Sequence, residues 1–308
     1  MKNRLLVDMS PLMYGELFGS TVLIHKDERY NISKDKEGKY NLDEYKDILI
    51  YKIIQELMNL KGIDNFNEII LAFDNSTGGY WRNQIWEGYK AGRKEVRDTS
   101  NIQWDKAFKI FQEFKNLLND CSSFKVIDIP TVEADDIIFI LSKYFSDKNE
   151  KCTILSVDHD FIQCLEYPNV SFLRTKKSQK KEPEFYKASS EEITEIINEH
   201  CISGDSGDNF FHVKSYSRFS DDFLEKYPKM KNKEIETYPI RFKIESKFKE
   251  KYGEKAKAYN HPRYGYKTFL KSKKSLEQVL DENPIYRWNY EMNKKLALPE
   301  NIPENIKE

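Results

Sequence analysis

The sequence is poor in cysteine, and no motif gives the few cysteines a task. Its four, Cys121, Cys152, Cys164 and Cys201, are widely spaced with no CxxC pair, and the five histidines show no zinc-ligand spacing beside them. They read as reduced thiols outside any catalytic site. Long apolar runs are missing too: IIFIL at 137–141 is far short of a membrane span, and MKNRLLVDMS lacks the apolar core of a signal peptide. A cytoplasmic protein with no membrane partner is expected. A GxSxG elbow, a GxxxxGK loop and a GxGxxG turn are all absent, and the first strand ends in Asp8-Met9-Ser10 instead of DxDx(T/V). These absences argue against a serine nucleophile, a phosphate-cradling loop, dinucleotide binding and phosphoaspartyl chemistry.

Net charge is also nearly absent, at −1, which by itself argues against a nucleic-acid partner. The average conceals an asymmetry. Acids gather at strand ends, whereas residues 171–187 (SFLRTKKSQKKEPEFYK) and 209–275 are lysine-rich, the latter with about ten more basic than acidic side chains. An acidic pocket flanked by basic surfaces suits a polyanion held beside cations, although each lysine-rich stretch taken singly is equally well explained as a solvated face. With 19 Tyr and 19 Phe among 308 residues, apolar burial is not in short supply, and the chain is long enough for one large domain or a domain with an appended lobe.

The first 165 residues alternate strand and helix. RLLVD (4–8), EIILAFD (68–74), FKVIDI (124–129) and CTILSVD (152–158) read as buried strands. Between them, DEYKDILIYKIIQELMNLKG (43–62, closed by Gly62), WDKAFKIFQEFKNLL (104–118) and VEADDIIFILSKYF (132–145) read as helices, and a short helix is expected about Phe161–Leu165. This pattern predicts an α/β fold with a parallel sheet covered by helices on both faces, whose ligands bind at the carboxyl ends of the strands. Beyond residue 186 the pattern turns to helices and polar connections: SSEEITEIINEHC is a serine-capped helix, and the charged stretch interrupted by Pro228, Pro239 and Pro262 reads as a small helical lobe.

Carboxylates stand where the apolar runs stop: Asp8, Asp74, Glu133, Asp135 and Asp136 in VEADD, Asp158 and Asp160 in SVDHD, and Asp205 and Asp208 in SGDSGDN. Each has an ordinary explanation. Acids favour a helix's first turn, with Thr131 as N-cap of the VEADD helix, and Gly and Asp are turn residues. All these explanations must hold together, however, and so many converging carboxylates repel one another unless cations are bound. Hard oxygen-rich sites select Mg²⁺ or Mn²⁺. Two such ions about 4 Å apart activate water towards a phosphodiester without any protein nucleophile. Immediately after Asp74, GGYWRNQIWEGYKAGRK (78–94) interleaves Tyr80, Trp81, Trp86 and Tyr89 with Arg82, Lys90, Arg93 and Lys94. That mixture stacks bases and holds phosphates of a single strand, or else forms an amphipathic helix with snorkelling bases.

In order, LLVDMS, FDNSTGGYW followed by YKAGRK, VEADD, SVDHD and GDSGDN resemble the structure-specific 5′-nucleases, the flap endonucleases and 5′-to-3′ exonucleases, and among them the phage ribonuclease H type, over residues 4–215. The resemblance implies a PIN-like nuclease domain at 1–186 with a helical arch at about 78–110, and a helical, helix–turn–helix-type duplex-binding lobe at 187–308. It implies two Mg²⁺, replaceable by Mn²⁺: Asp8, Asp74, Glu133, Asp135 and Asp158 around one, and Asp136, Asp160, Asp205 and Asp208 around the other. Lys90 and Arg93 would hold the scissile phosphate, with Arg82, Tyr89 and Lys94 nearby. The implied substrates are DNA with a 5′ flap or fork and RNA/DNA hybrids in lagging-strand replication, cut by a monomer beside a phage single-strand-binding protein or sliding clamp.

Two departures from the family pattern stand out. FFHVKSYSRFSDDF replaces the glycine-rich turn that grips duplex phosphates and potassium, which leaves Lys214 and Arg218 as the duplex contacts, and the chain stops at PENIKE where the phage relatives continue. Rival readings are a PIN-type endoribonuclease and a non-catalytic DNA-junction binder.

Overall fold

The computed structural model of the chain describes residues 2–26, 32–60, 64–174, 184–205, 207–210, 212–213, 275–282 and 284–308. Lys214, Arg218, Gly62 and the three prolines at 228, 239 and 262 lie outside the described residues, as does nearly all of the basic stretch 209–275. Two compact units are formed: Met1–Trp81, Val96–Ile193 and Pro303–Glu308 make the first, and Arg82–Glu95 with Thr194–Ile302 the second.

The first unit is built on a six-stranded sheet of β1 (Asn3–Asp8), β2 (Glu68–Phe73), β3 (Lys125–Asp128), β4 (Lys151–Ser156), β5 (Val170–Arg174) and β6 (Glu184–Tyr186), in the order β3-β2-β1-β4-β5-β6. All neighbours are parallel except β5 and β6. Successive strand residues face opposite sides, and both sides are dry. Leu5, Val7, Leu71, Phe73, Leu155 and Leu173 pack with α1 (Met9–Lys26), α2 (Lys46–Leu60) and α4 (Trp104–Cys121), the last of which follows the short α3 (Gly92–Asp98). On the alternate positions Leu6, Ile70, Ile154 and Phe172 are buried. There α5 (Ala134–Asp147) meets the 3₁₀ turn His159–Glu166 and the sheet through Phe139, Phe161 and Phe172. Burial on two faces is why these strands read as continuous apolar runs.

Several local expectations change. Helix α1 was not foreseen; it starts directly after Asp8, and its apolar residues are not confined to one stripe. The N-cap of α5 is Glu133, not Thr131, whose backbone is left-handed at φ 70°. Parts of the stretch 171–187, expected as a basic surface, lie in β5 and β6. The helix expected from 43 begins instead with a 3₁₀ turn, Leu42–Glu44, capped by Asn41.

In the second unit, the C-terminal part of α6 (Ser190–Ser203) packs Cys201 and Ile202 with Val213, Leu276, Val279, Leu280, Tyr290 and Leu298. Asn293 donates to the Cys201 carbonyl at 2.7 Å and Asn289 to the Val213 carbonyl at 2.9 Å, fastening the helix Pro284–Ala297 to this core. Among the described residues no helix is long and apolar enough to cross a membrane, and all four cysteines are free thiols.

Candidate metal centre

Strand order places the acids. β1 lies between β2 and β4, the point where crossovers diverge and where parallel sheets open a crevice at their carboxyl ends. Asp8 ends β1, Asp74 follows β2 and Asp158 follows β4, so three adjacent strands deliver a carboxylate to one edge. Residues 129–132 carry the chain from β3 to α5, whose first turn brings Glu133, Asp135 and Asp136.

Hydrogen bonds tie these groups together. Ser10 Oγ donates to Asp74 at 2.5 Å, and the other Asp74 oxygen accepts the Ala134 N–H at 2.8 Å, satisfying one orphan donor at the start of α5. Ser156 Oγ donates to Asp8 at 2.9 Å and accepts the Asp158 N–H at 3.1 Å. Asp158 in turn accepts the Asp160 N–H at 3.0 Å, which places Asp160 in the first turn of the 3₁₀ segment. Glu133 and Asp136, both fully buried, form a capping box, with the Glu133 N–H donating to Asp136 at 3.2 Å. Ligand atoms of Glu133, Asp135 and Asp136 lie within 4.8 Å of one another. Helix capping therefore does operate here, and it is also what aims the acids.

Electrostatics test whether a cation fits. Burial, then the neighbouring Asp74 and less strongly Asp158, push the Asp8 carboxyl up to about 8, against the opposing hydrogen bonds from Ser156 and Ser10. Among the described residues no lysine or arginine pairs with Asp8, Asp74 or Asp158. Three carboxylates with no lysine or arginine pair among the described residues, all oxygen donors, fit a hard divalent ion.

In the second unit, Asp205 Oδ1 accepts the N–H of Gly207 at 2.5 Å and of Asp208 at 3.2 Å, closing a turn flanked by left-handed Gly204 and Asn209. Asp208 is the hub of the basic segment. Arg93 donates to it at 2.5 Å, the Tyr89 hydroxyl at 3.1 Å, and Lys90 Nζ lies at 3.8 Å. Burial by itself would raise the Asp208 carboxyl, but Lys90 and Arg93 outweigh it and hold it below the usual range. Lys90 has φ 56°, and its N–H donates to the Asp208 carbonyl at 3.0 Å.

The aromatic and basic side chains expected to line a strand path are mostly engaged internally. Arg82 is buried, donates to the Leu296 carbonyl at 2.7 Å and lies over the Tyr89 ring; Tyr89 is buried too. Trp86 donates to the Asn209 carbonyl at 3.0 Å. Contact of Arg82 or Tyr89 with a nucleic acid requires these bonds to open, whereas Lys94 is exposed.

Ser10 and Ser156 were not singled out from the sequence. The available signal was a hydroxyl two residues after one strand-end acid and two before another.

A family model for the 5′-3′ exonuclease N-terminal resolvase-like domain matches residues 5–195. Ribonuclease H of Enterobacteria phage T4 is 33% identical over 185 residues, covering 60% of this chain and 58% of that protein. A 5′-3′ exonuclease of Buchnera aphidicola subsp. Schizaphis graminum is 29% identical over 203 residues, covering 62% and 66%. The chain thus spans less than two thirds of the length of these relatives. Among solved structures, the bacteriophage T5 D15 protein co-crystallised with metal ions has the same fold, with TM-score 0.57 at 14% identity over 97% of this chain and 90% of that one. The T5 D15 flap endonuclease in a pseudo-enzyme-product complex with DNA and metal ions gives 0.54 at 15% identity, covering 97% and 89%.

Proposed function

Because this chain belongs to the 5′-3′ exonuclease family through its N-terminal resolvase-like domain, we propose that it is a Mg²⁺-dependent 5′-3′ exonuclease and flap endonuclease. Its substrates are RNA primers and 5′ DNA ends of lagging-strand replication, as RNA/DNA hybrids and 5′-flap or forked DNA, and it acts as a monomer.

The observation that carries this reading is the set of acids at one sheet edge, with Asp8 pushed up by burial and then by Asp74 and Asp158, and no lysine or arginine paired with it among the described residues. Asp8, Asp74, Glu133, Asp135 and Asp158 would hold one Mg²⁺, and Asp136 and Asp160 would serve a second, with Mn²⁺ able to replace both. When bound, such ions activate the attacking water and neutralise charge on the leaving oxygen. The chain's own part is orientation. Ser10 and Ser156 fix the Asp74 and Asp8 carboxylates, the capping box fixes Glu133 and Asp136, and Asp208 holds Lys90 and Arg93 in place to grip the scissile phosphate.

The test is cleavage of an end-labelled 5′-flap duplex and an RNA/DNA hybrid, with Mg²⁺ or chelator, by wild type and Asp158→Asn. Short 5′ products that need both Mg²⁺ and Asp158, with DNA binding retained in the variant, are expected. Near-normal turnover by Asp158→Asn would sink the proposal. Cutting of unstructured RNA without regard to a 5′ end would point to a PIN-type endoribonuclease, and tight junction binding without cleavage to a structural binder.

A further inference from the structure

Trp81 lies in none of the acidic motifs, yet its indole Nε1–H donates to Asp136 Oδ2 at 2.8 Å, with both side chains buried. Its position follows from the turn before it. Gly78 and Gly79 take φ of 84° and 85°, which turns the chain after Asp74 back towards α5. Two backbone bonds then fasten this segment to the residues preceding Glu133: Asn75 N–H to the Val132 carbonyl and Trp81 N–H to the Thr131 carbonyl, both at 3.0 Å. The left-handed Thr131 presents that carbonyl. So the indole is delivered to the first turn of α5 by a built path, not by a loose side chain.

The same oxygen, Asp136 Oδ2, accepts the capping-box N–H of Glu133 at 3.2 Å. Two donors on Oδ2 fix the direction in which the Asp136 carboxylate faces. The choice of donor also matters. A lysine or arginine here would hold the carboxylate equally well but would repel a divalent ion, whereas indole is a neutral group that only donates. Groups that hydrogen-bond metal-ligating carboxylates set ligand orientation, and their loss typically lowers metal affinity by about 10–100-fold.

We propose that Trp81 is a positioning residue of the metal centre, whose indole N–H fixes the Asp136 carboxylate for a divalent ion. This rests on the metal reading given under Proposed function.

The test uses Mn²⁺ as the probe ion and the full chain with ¹⁵N-labelled indoles, of which there are four. The Trp81 resonance is identified by its loss in Trp81→Phe, a substitution that keeps an aromatic ring but removes the N–H. Sub-stoichiometric Mn²⁺ should broaden the Trp81 indole signal before that of Trp104, and calorimetry should show Mn²⁺ binding about tenfold weaker in Trp81→Phe at unchanged secondary structure. Mn²⁺ affinity within twofold of wild type, with only a lower melting temperature, would make Trp81 a packing residue and overturn the proposal. Should Trp81→Phe not fold, the wild-type spectrum decides: Mn²⁺ uptake that leaves all four indole signals equally sharp overturns it. A wild-type chain that takes up no Mn²⁺ overturns the metal reading itself, and this inference with it.

Discussion

Arg93 reaches Asp208 at 2.5 Å, and the carboxylate it grips also takes the Tyr89 hydroxyl. A carboxylate therefore holds the two cations proposed to bind a phosphate, so that Lys90 and Arg93 are ordered before any anion arrives. Asp208→Asn should lose that order. Because Arg93 is 43% exposed along its side chain, solvent screening limits the loss of stability to about 1–2 kcal/mol at neutral pH. Urea unfolding measures this directly. The sign with pH is set by the lowered carboxyl. Its stabilisation is complete above the ordinary carboxylate range and fades as pH falls through the lower folded value, and this acid-side loss should vanish in Asp208→Asn.

Asp8 has the opposite sign. Its folded value of about 8 lies far above its ordinary 3.8, so the metal-free folded chain binds the extra proton between these limits and loses stability as pH rises across them. Asp8→Asn should flatten that slope and stabilise the metal-free protein near pH 8 by on the order of 2–4 kcal/mol, while eliminating cleavage. Thermal unfolding from pH 5 to 8.5 in chelator checks the first half; a variant less stable than wild type throughout would contradict it.

Added Mg²⁺ should raise the melting temperature of the wild type, and the rise should grow between pH 6 and 8. Below about 8 the ion must displace a proton from Asp8, so its apparent affinity weakens as pH falls. A shift independent of pH across this window would show that Asp8 is not a ligand.

Gly88→Ala should damage the basic segment without altering any charge. A Cβ there would sit 2.7 Å from ring carbons of Trp86, whose indole holds the Asn209 carbonyl, and the Gly88 carbonyl itself accepts from Asn209 at 2.6 Å. Such overpacking costs about 1–3 kcal/mol. Turnover should fall more than Mn²⁺ affinity, measured by single-turnover cleavage beside calorimetry.

The edge that carries the acids was legible because strands buried on both faces announce themselves as continuous apolar runs, and an acid that ends such a run lies at the carboxyl edge wherever the strand sits in the sheet. Asp8, Asp74 and Asp158 needed no further information. Helix α1 was missed because its apolar residues are spread around the helix, and β5 and β6 because their neighbourhood is rich in lysine. The aromatic residues of 80–89 suit a stacking surface or an amphipathic helix equally as a pattern, and in the fold Trp81, Trp86 and Tyr89 turn their polar atoms inward to Asp136, Asn209 and Asp208.

By itself, then, the order of residues determined which groups are acids, which strands are buried and where each strand stops, since these depend on composition and period within a few residues. Strand order decided that β1, β2 and β4 are neighbours, and so that Asp8 is crowded by Asp74 and Asp158. Only folding could set Trp81 against Asp136 across 55 positions and Arg93 against Asp208 across 115, because a hydrogen bond depends on distances of ångströms that no local pattern encodes.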